Sequence, residues 1–470
     1  MTTTHHDDGG LRLGVVRGIT YGVYGEPERF VPQIRDLNGS LVRVYVYWSQ
    51  IEPAPGQWNF GVVDALLAQL DGTEEVWVTV CSSSPWATRV PTRVLPPSPA
   101  KDVRRYEDFV RRLVRHCGGR VHYWQCDNEP TDHAQLWAGT APEYLTHLRA
   151  LHAAVRDADP TAKVILGGAP FLLPYTPPDG YERVFFDELL RDGRDHFDLF
   201  DLHLYGPAAL IPEHVEFARD LMRAHGYEKP VVVGEYNGPW PALFPDAMQV
   251  LLGPVQTGAA HGRDGERAAI AELYRRRDEL PVSLQMFLMD CPPELDAKRY
   301  RMARREIVMR NVLAFSSGIR RTTCWHLAPE APGFDNRYGL MDVMFRTFAL
   351  LAHDGEEIAR RHPSAEAFAL VAGELTGADE VLSRAGSREG HRVFEVSRPG
   401  RPPLLVTWLD RDPWSGEDEP DEAVTVDWGP AAAEGVDALG RTWPIAYRDG
   451  RVHLALGCTP VFVTAAPGGW

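Results

Sequence analysis

The chain has 470 residues, which is too long for one ordinary domain unless one part of it is a large barrel. Hydrophobic residues make up 44% and charged residues 24%, so a sizeable core is expected and global disorder is excluded. The 65 acidic and 49 basic residues give a formal net charge of -16, which argues against nucleic acid and anionic membrane surfaces as partners.

The cysteines and the N-terminus both favour a reducing compartment. The six cysteines form no Cys-x-x-Cys pair and have no histidine at zinc-ligand spacing, so neither a disulfide framework nor a zinc site is expected. The segment Met1–Asp8 lacks the basic and apolar regions of a secretory signal, and no apolar stretch approaches about 20 residues. We therefore expect a soluble, cytoplasmic protein with no membrane span.

In residues 1–362, short apolar runs alternate with amphipathic segments, a pattern typical of βα units around a parallel sheet. In Lys101–Cys117 and Pro142–Ala158, apolar residues recur at steps of three and four, which predicts helices. Eight such units predict an α/β fold, a (β/α)8 TIM barrel. The predicted strands are Val15–Tyr24, Leu41–Tyr47, Glu75–Cys81, Val121–Cys126, Lys163–Leu166, Phe197–Leu204, Val231–Gly234 and Arg321–His326.

The connection after the seventh strand is unusually long. About 60 residues, at about 238–299, form an insertion that is rich in proline and glycine. A lid and a plain surface extension are equally compatible with it. Its apolar run Val282–Met289 competes for the eighth strand. We prefer Arg321–His326, because the helical pattern Tyr300–Phe315 then supplies the preceding crossover.

Residues 363–470 have a different pattern, which predicts a small C-terminal β-sandwich. Glycine, proline and aspartate clusters separate short β-rich runs there, and the acidic segment Asp410–Asp421 is expected to be an exposed loop. The runs are Phe368–Val371, Val393–Val396, Leu404–Trp408, Val424–Trp428, Val452–Leu456 and Val461–Thr464.

Two glutamates stand at the ends of predicted strands. Glu129 lies in the segment VHYWQCDNEP at 121–130, and Glu235 lies in PVVVGEYN at 230–237. A (β/α)8 barrel places its chemistry at the C-terminal tips of its strands. Hydrolysis of a glycosidic bond needs one carboxyl group as proton donor and a second as base or nucleophile. The two glutamates therefore form a candidate catalytic pair.

The motif Asn128-Glu129-Pro130 resembles the Asn-Glu-Pro of a large clan of retaining glycosidases that are built on (β/α)8 barrels. The chain is similar in particular to family 39, which includes β-xylosidases and α-L-iduronidases. In that clan the acid/base follows the fourth strand and the nucleophile follows the seventh. The resemblance implies that Glu129 is the acid/base and that Glu235 is the nucleophile. An independent count of the predicted strands puts both residues in those places.

The resemblance extends to residues that would bind the substrate. Arg43 matches the clan's arginine beneath the nucleophile, although a structural ion pair elsewhere is the alternative. Asn128 would donate to the sugar 2-hydroxyl. His203 and Tyr205 match a His-x-Tyr motif in which the histidine lies near the acid/base or the sugar and the tyrosine near the nucleophile. Trp325 resembles the aromatic floor of the sugar site.

Further tryptophans follow other strand ends. Trp48 begins the segment WSQIEP at 48–53, which resembles a signature that chiefly shapes a turn, and we also count it as a candidate sugar contact. Glu52 in that segment is expected to be structural. Trp86, Trp137 and Trp240 would either stack on sugar or aglycone faces or pack in the core.

Two features depart from the family pattern. The residues Gln125-Cys126-Asp127 replace acidic and aromatic residues that often precede Asn-Glu-Pro, and the insertion has no counterpart. The sequence therefore does not determine which sugar and which aglycone the protein recognises.

The sequence argues against other chemistries. It has no Gly-x-Ser-x-Gly elbow, no dinucleotide-binding fingerprint after a strand and no P-loop. Asp201, His203 and Glu235 would be the candidates for a metal site, but no metal-ligand motif accompanies them, so we expect neither metal nor cofactor.

We predict a retaining exo-glycoside hydrolase that acts on small β-linked glycosides or oligosaccharides. One alternative is an intracellular transglycosidase or deglycosylase of a natural-product pathway. Another is a non-catalytic sugar-binding protein on a degenerate barrel. Nothing in the sequence bears on the oligomeric state.

Overall fold

A computed structural model describes residues 9–333 and 336–466 of the chain. The segment Met1–Asp8, on which the expectation about a secretory signal rests, lies outside the described residues. Eight parallel strands pair in chain order, and the eighth pairs with the first, so the sheet closes into a barrel. They are β1 (Arg12–Val16), β2 (Leu41–Tyr47), β3 (Glu75–Cys81), β4 (Tyr123–Cys126), β5 (Lys163–Ala169), β6 (Leu199–Leu204), β7 (Val231–Tyr236) and β8 (Arg321–Trp325). The predicted (β/α)8 barrel is confirmed.

Helices follow and cover these strands. They are α1 (Val31–Asp36), α2 (Trp48–Ile51), α3 (Gly61–Leu67), α4 (Val103–Cys117), α5 (Ala141–Ala158), α6 (Tyr181–Asp192), α7 (Ile211–Arg223), α8 (Pro245–Arg275), α9 (Val282–Gln285), α10 (Pro293–Ser316), α11 (Leu340–Phe345) and α12 (Pro363–Leu375). Among the residues that the structure describes, no helix combines the length and the apolar character that a membrane crossing requires.

Local sequence signals explain the two helices that flank β4. In α4 the carboxylate of Asp102 accepts a hydrogen bond from the backbone N–H of Arg104, which caps the helix. The helix ends at Gly118, whose φ of 57° is left-handed. In α5, Thr140 and Glu143 form a capping box at the first turn. Both helices bury an apolar stripe against the barrel, as the spacing predicts.

The barrel interior is layered, because alternate residues of a strand point the same way. The lower layer is apolar and consists of Leu41, Trp77, Tyr123, Ile165, Leu199 and Val232. Two residues further along four of these strands, the buried side chains are polar, namely Arg43, Thr79, Gln125 and Asp201. The chain therefore builds a polar floor beneath the C-terminal end of the barrel.

The remaining strands lie after the barrel. A two-stranded hairpin, β9 (Leu351–Asp354) and β10 (Glu357–Arg361), follows β8. A five-stranded antiparallel sheet and a three-stranded one then enclose their own apolar core, so the predicted sandwich is confirmed. Their strands are β11 (Glu380–Arg384), β12 (His391–Ser397), β13 (Leu404–Leu409), β14 (Glu422–Asp427), β15 (Ala432–Asp437), β16 (Ala446–Arg448), β17 (Arg451–Leu456) and β18 (Val461–Ala465).

One predicted strand has different bounds, and another is part of a helix. The first strand ends at Val16 rather than at Tyr24, because Gly18 at φ 119° and Gly22 at φ 64° turn the chain. The run Phe368–Val371 lies inside α12, where Pro363 starts the helix and the buried residues recur at helical spacing. Helix α12 packs on α10 and β1, so it lies against the barrel, and the domain boundary at residue 362 stays a prediction.

The long insertion is helical. Helix α8 bends at Gly262, and the run Val282–Met289 forms α9 and a buried turn, not a strand. The insertion has a separate apolar core, against which Trp414 of the C-terminal sandwich packs. The predicted exposed loop around Trp414 therefore joins the sandwich to the insertion, and Phe244 meets the Trp414 ring edge-on at 6.2 Å.

Candidate functional site

The two glutamates meet at the C-terminal end of the barrel. Glu129 follows β4, and Glu235 is the fifth residue of β7. One carboxylate oxygen of each, together with one ring nitrogen of His203, lies within 4.8 Å of the others. The side chain of Glu129 is 24% exposed and that of Glu235 is 7% exposed. The pair is therefore mostly shielded from water, and Glu129 is its more accessible member.

A strained turn carries Glu129. Asp127 and Glu129 have φ values of 44° and 36°, which residues with side chains rarely adopt. The Asp127 carboxylate is fully buried and accepts hydrogen bonds from the backbone N–H and the hydroxyl of Ser82, at 2.8 and 2.9 Å. Burial raises the pKa of Asp127 to about 7, although these two bonds oppose the shift. This anchor ties the end of β4 to the end of β3 and holds the turn in place.

Glu235 is held in its ionised form. Its Oε1 accepts from Nη1 of Arg43 at 3.0 Å and from the hydroxyl of Tyr45 at 2.7 Å. Its Oε2 accepts from the hydroxyl of Tyr205 at 2.7 Å. Burial acts to raise the pKa of Glu235, but the charges of His203 and Arg43 and the two tyrosine hydrogen bonds outweigh it and lower the pKa. A carboxylate that stays ionised in a buried site suits a nucleophile.

Glu129 has the opposite tendency. Burial is the largest influence and raises its pKa, and the charge of Glu235 acts in the same direction. His203 opposes both through a hydrogen bond of 2.6 Å between its Nδ1 and Oε1 of Glu129. The net pKa is raised, so Glu129 retains a proton more readily than an exposed glutamate. Two adjacent carboxyl groups with opposite shifts are the arrangement that separates an acid from a base.

His203 stands between the carboxylates. Its Nδ1 is 3.6 Å from Oε2 of Glu235, and its Nε2 is 3.3 Å from Oδ2 of Asp201. Burial alone would lower its pKa, but Glu235, Glu129 and Asp201 together raise the pKa of His203 to about 10. The ring is therefore an imidazolium at neutral pH. A side chain at Gly168 of β5 would overlap this ring, so glycine makes room for it.

Glu129, His203 and Glu235 also have the spacing of a metal-binding group. A metal ion would bind a neutral imidazole nitrogen of His203 and one carboxylate oxygen of each glutamate. The 2.6 Å contact between His203 and Glu129 is that of a hydrogen-bonded pair.

Several of the predicted binding residues surround the pair. Asn128 accepts from Nη2 of Arg43 at 2.8 Å, and its Nδ2 lies 3.4 Å from Glu235. Trp325 is partly exposed and meets the ring of Tyr45 edge-on at 6.3 Å. Together with Arg43, His203 and Tyr205, whose contacts are given above, these residues form one cluster around the carboxylates.

The prediction of Trp48 as a sugar contact is wrong. Trp48 is fully buried, stacks on Phe109 at 5.2 Å and donates its indole N–H to Glu52 at 2.9 Å. Trp86 packs on Trp48 and donates to the backbone of Glu52 at 3.0 Å, so the structure does not bring it to the carboxylates either. Both indoles stabilise the loop after β2, and Glu52 has the structural role that we expected.

The other two predicted tryptophans, Trp137 and Trp240, lie in different surroundings. Trp137 is fully buried against Tyr144. Trp240 is buried beside the site, where its ring lies 5.8 Å from Tyr205 and 5.0 Å from Phe171. The indole nitrogen of Trp240 is buried and has no hydrogen-bond partner among the described residues. Of these two tryptophans, Trp240 is the one that packs on Tyr205, which binds Glu235.

The sequence analysis missed Tyr45 as a member of the cluster and named Asp201 only as a candidate metal ligand. Tyr45 lies two residues after Arg43 on β2, and Asp201 lies two residues before His203 on β6. Side chains at i and i+2 of a strand share a face, so this alternation was the signal that could have identified them. Gln125, which departs from the family pattern, accepts from Nη2 of Arg43 at 2.8 Å and so belongs to the same polar floor.

Among known proteins, the chain is similar to solved structures only. No protein-family model and no curated protein matches this chain. A family 39 glycoside hydrolase from the gut symbiont Bacteroides cellulosilyticus WH2 is 14% identical, with a TM-score of 0.61 over 98% of this chain and 82% of that one. A glucosidase from Croceicoccus marinus is 14% identical, with a TM-score of 0.60 over 98% and 97%.

A family 39 β-xylosidase from Caulobacter crescentus is 12% identical, with a TM-score of 0.56 over 98% of each chain. At these identities the similarity concerns the fold. The whole chain, barrel and sandwich together, thus resembles structures of glycoside hydrolases.

Proposed function

We propose that the protein is a retaining exo-glycoside hydrolase that cleaves small β-linked glycosides by double displacement. The observation that carries the proposal is the carboxyl pair, whose nearest oxygens lie within 4.8 Å and whose pKa values shift in opposite directions. Retaining glycosidases hold their two carboxyl groups about 5–5.5 Å apart, whereas inverting ones leave about 6.5–9.5 Å for a water molecule. The short separation favours direct attack by a carboxylate.

In the first step, Glu235 attacks the anomeric carbon while Glu129 protonates the leaving oxygen. Arg43 and Tyr45 on Oε1 of Glu235 keep the carboxylate ionised before the attack. His203 occupies Oε1 of Glu129 and thereby leaves Oε2 for the leaving oxygen. The products of this step are a covalent glycosyl-enzyme and the free aglycone.

In the second step, Glu129 acts as a base. Once Glu235 is esterified its negative charge is gone, and one of the causes that raise the pKa of Glu129 disappears. Glu129 then remains ionised, next to the imidazolium of His203, and takes a proton from the attacking water. The water displaces Glu235, so the sugar leaves with its original configuration.

The surroundings of the pair support a small substrate. Nδ2 of Asn128, which lies 3.4 Å from Glu235, is well placed to donate to the 2-hydroxyl of the sugar. Trp325 supplies a partly exposed ring for one sugar face. Only 7% of the Glu235 side chain is exposed, and the proposal takes a terminal sugar, not an internal unit of a polymer, as the group that reaches it.

The test is a panel of aryl α- and β-glycosides with the wild type, Glu235→Ala and Glu129→Ala. We expect turnover of one β-linked sugar, loss of that turnover in Glu235→Ala, and slow residual turnover in Glu129→Ala when the leaving group is activated. Glu52→Gln is the matched control, because Glu52 is a buried glutamate after β2 that contacts Trp48. Added methanol would divert part of the product to a methyl glycoside if the enzyme is a transglycosidase. Equal activity of the folded wild type and Glu235→Ala would refute the proposal.

A further inference from the structure

A continuous buried network joins the two glutamates beneath the site. From Glu235 it runs to Nη1 of Arg43 at 3.0 Å, and from Nη2 of Arg43 to Oε1 of Gln125 at 2.8 Å. Nε2 of Gln125 donates to Oδ2 of Asp201 at 3.0 Å, and the same oxygen lies 3.3 Å from Nε2 of His203. The other ring nitrogen of His203 then contacts Glu129.

Asp201 is the charged member of this network that the two catalytic steps do not use. It is fully buried, and its Oδ1 accepts the backbone N–H of Gly234 at 2.5 Å. A side chain at position 234 would overlap this carboxylate, so the glycine before Glu235 allows the close approach. With one oxygen held by β7 and the other by Gln125, the carboxylate has a single orientation, in which Oδ2 faces His203.

The uncharged Gln125 makes the role of Asp201 specific. Gln125 contributes an amide, and not a carboxylate, to the polar floor. Its oxygen is used by Arg43, and the hydroxyl of Thr79 and the indole of Trp77 donate to the same atom. The negative charge that faces His203 from below therefore comes from Asp201.

We propose that Asp201 is a positioning residue that holds the ring of His203 so that both of its nitrogens donate, with Nδ1 aimed at Oε1 of Glu129. This fixes which oxygen of Glu129 faces the leaving group. The inference rests on the proposed function, because it assigns Glu129 the role of acid/base. The imidazolium is faced by Glu129 from β4, by Glu235 from β7 and by Asp201 from its own strand. Arg43 of β2 interacts with Glu235 and Asp201, and His214 of α7 lines a small cavity together with His203.

The first test compares two leaving groups in Asp201→Asn. General acid catalysis is worth about 100- to 10,000-fold, and only a poor leaving group needs it. We expect kcat/KM for the phenyl glycoside to fall by roughly 100-fold and that for the 2,4-dinitrophenyl glycoside to fall by less than about 3-fold. The alkaline limb of the pH profile should also move, because the variant changes the environment of His203, which is hydrogen-bonded to Glu129.

Two further variants separate positioning from folding. Asp198→Asn removes a carboxylate three residues earlier, which binds the backbone N–H of Val164 at 2.7 Å and lies outside the network, so both substrates should be affected equally. The double variant Gln125→Glu/Asp201→Asn exchanges amide and carboxylate between neighbouring positions. It should recover part of the phenyl glycosidase activity that Asp201→Asn loses.

Equal losses on both substrates in Asp201→Asn, or no loss on either, would overturn the inference. An independent measurement is the ¹⁵N spectrum of the histidine rings of the wild type at pH 8, with His203→Gln to assign the signal. We expect both nitrogens of His203 to be protonated, and a neutral ring would overturn the inference whatever the activity. If the wild type hydrolyses neither glycoside, the proposed function fails, and the spectrum still decides the state of the ring.

Discussion

Replacement of Tyr205 by phenylalanine should change the acidic limb of the pH profile and little else. The Tyr205 hydroxyl donates to Oε2 of Glu235 at 2.7 Å inside the barrel, and this bond lowers the pKa of Glu235. A hydrogen bond to a charged group contributes about 1.5–3 kcal/mol. One pH unit corresponds to about 1.4 kcal/mol, so removal of the bond should move the acidic limb upward by about 1 to 2 pH units.

The direction of this shift follows from the form of Glu235 that reacts. The proposed attack needs Glu235 as a carboxylate, and the variant protonates it at a higher pH, so activity is lost earlier as the pH falls. The alkaline limb, which depends on the proton of Glu129, should stay in place. The assay is kcat/KM from pH 3 to pH 9 with an aryl glycoside that the wild type cleaves.

Tyr236→Phe is the matched control. Tyr236 is equally buried and lies one residue after Glu235, but its hydroxyl accepts a hydrogen bond from Nδ2 of Asn311 at 2.7 Å. An acidic limb that is unmoved in Tyr205→Phe, or that moves equally in both variants, would refute the reasoning about the nucleophile.

Three other variants test separate parts of the structure. In Glu129→Gln, residual activity should lose its alkaline limb and persist mainly with activated leaving groups; an unchanged limb would count against the acid role. Trp325→Ala should raise KM by about 2- to 10-fold, as expected for loss of about 0.5–1.5 kcal/mol of aromatic contact, and an unchanged KM would exclude a sugar contact. Glu417→Gln should lower Tm at pH 7, because hydrogen bonds from Arg301 and Arg305 outweigh burial and lower the pKa of Glu417 from 4.5 to about 2. That stabilisation exists above pH 4.5 and is lost as the pH falls toward 2, so the difference in Tm should close there; a difference that persists would contradict the ion pair.

The architecture was largely predictable, because strand order in a barrel is the order of the chain. Glu129 after the fourth strand and Glu235 on the seventh needed only a count of apolar runs. The errors came where local pattern is ambiguous. The run Phe368–Val371 is apolar at every position and fits a strand or a buried helix, and Pro363 was the cue for the helix.

The side chains of the site were harder to predict. Trp48 follows a strand by one residue, where the chain turns into α2 and the alternation of strand faces no longer applies. The contacts of Arg43 with Gln125 and Glu235 span 82 and 192 residues, so they depend on the register between strands. A sequence motif indicates which residues lie near strand ends, and only the closed barrel brings Arg43 to Gln125 and Glu235.

The most direct measurement is the identity of the covalent intermediate. The wild type would be treated with the 2-deoxy-2-fluoro analogue of the glycoside that it cleaves. The masses of the intact protein and of its peptides would then be measured by mass spectrometry. Our account predicts one added glycosyl group, located on Glu235. A label on another residue, or hydrolysis that proceeds with inverted product and no adduct, would contradict it.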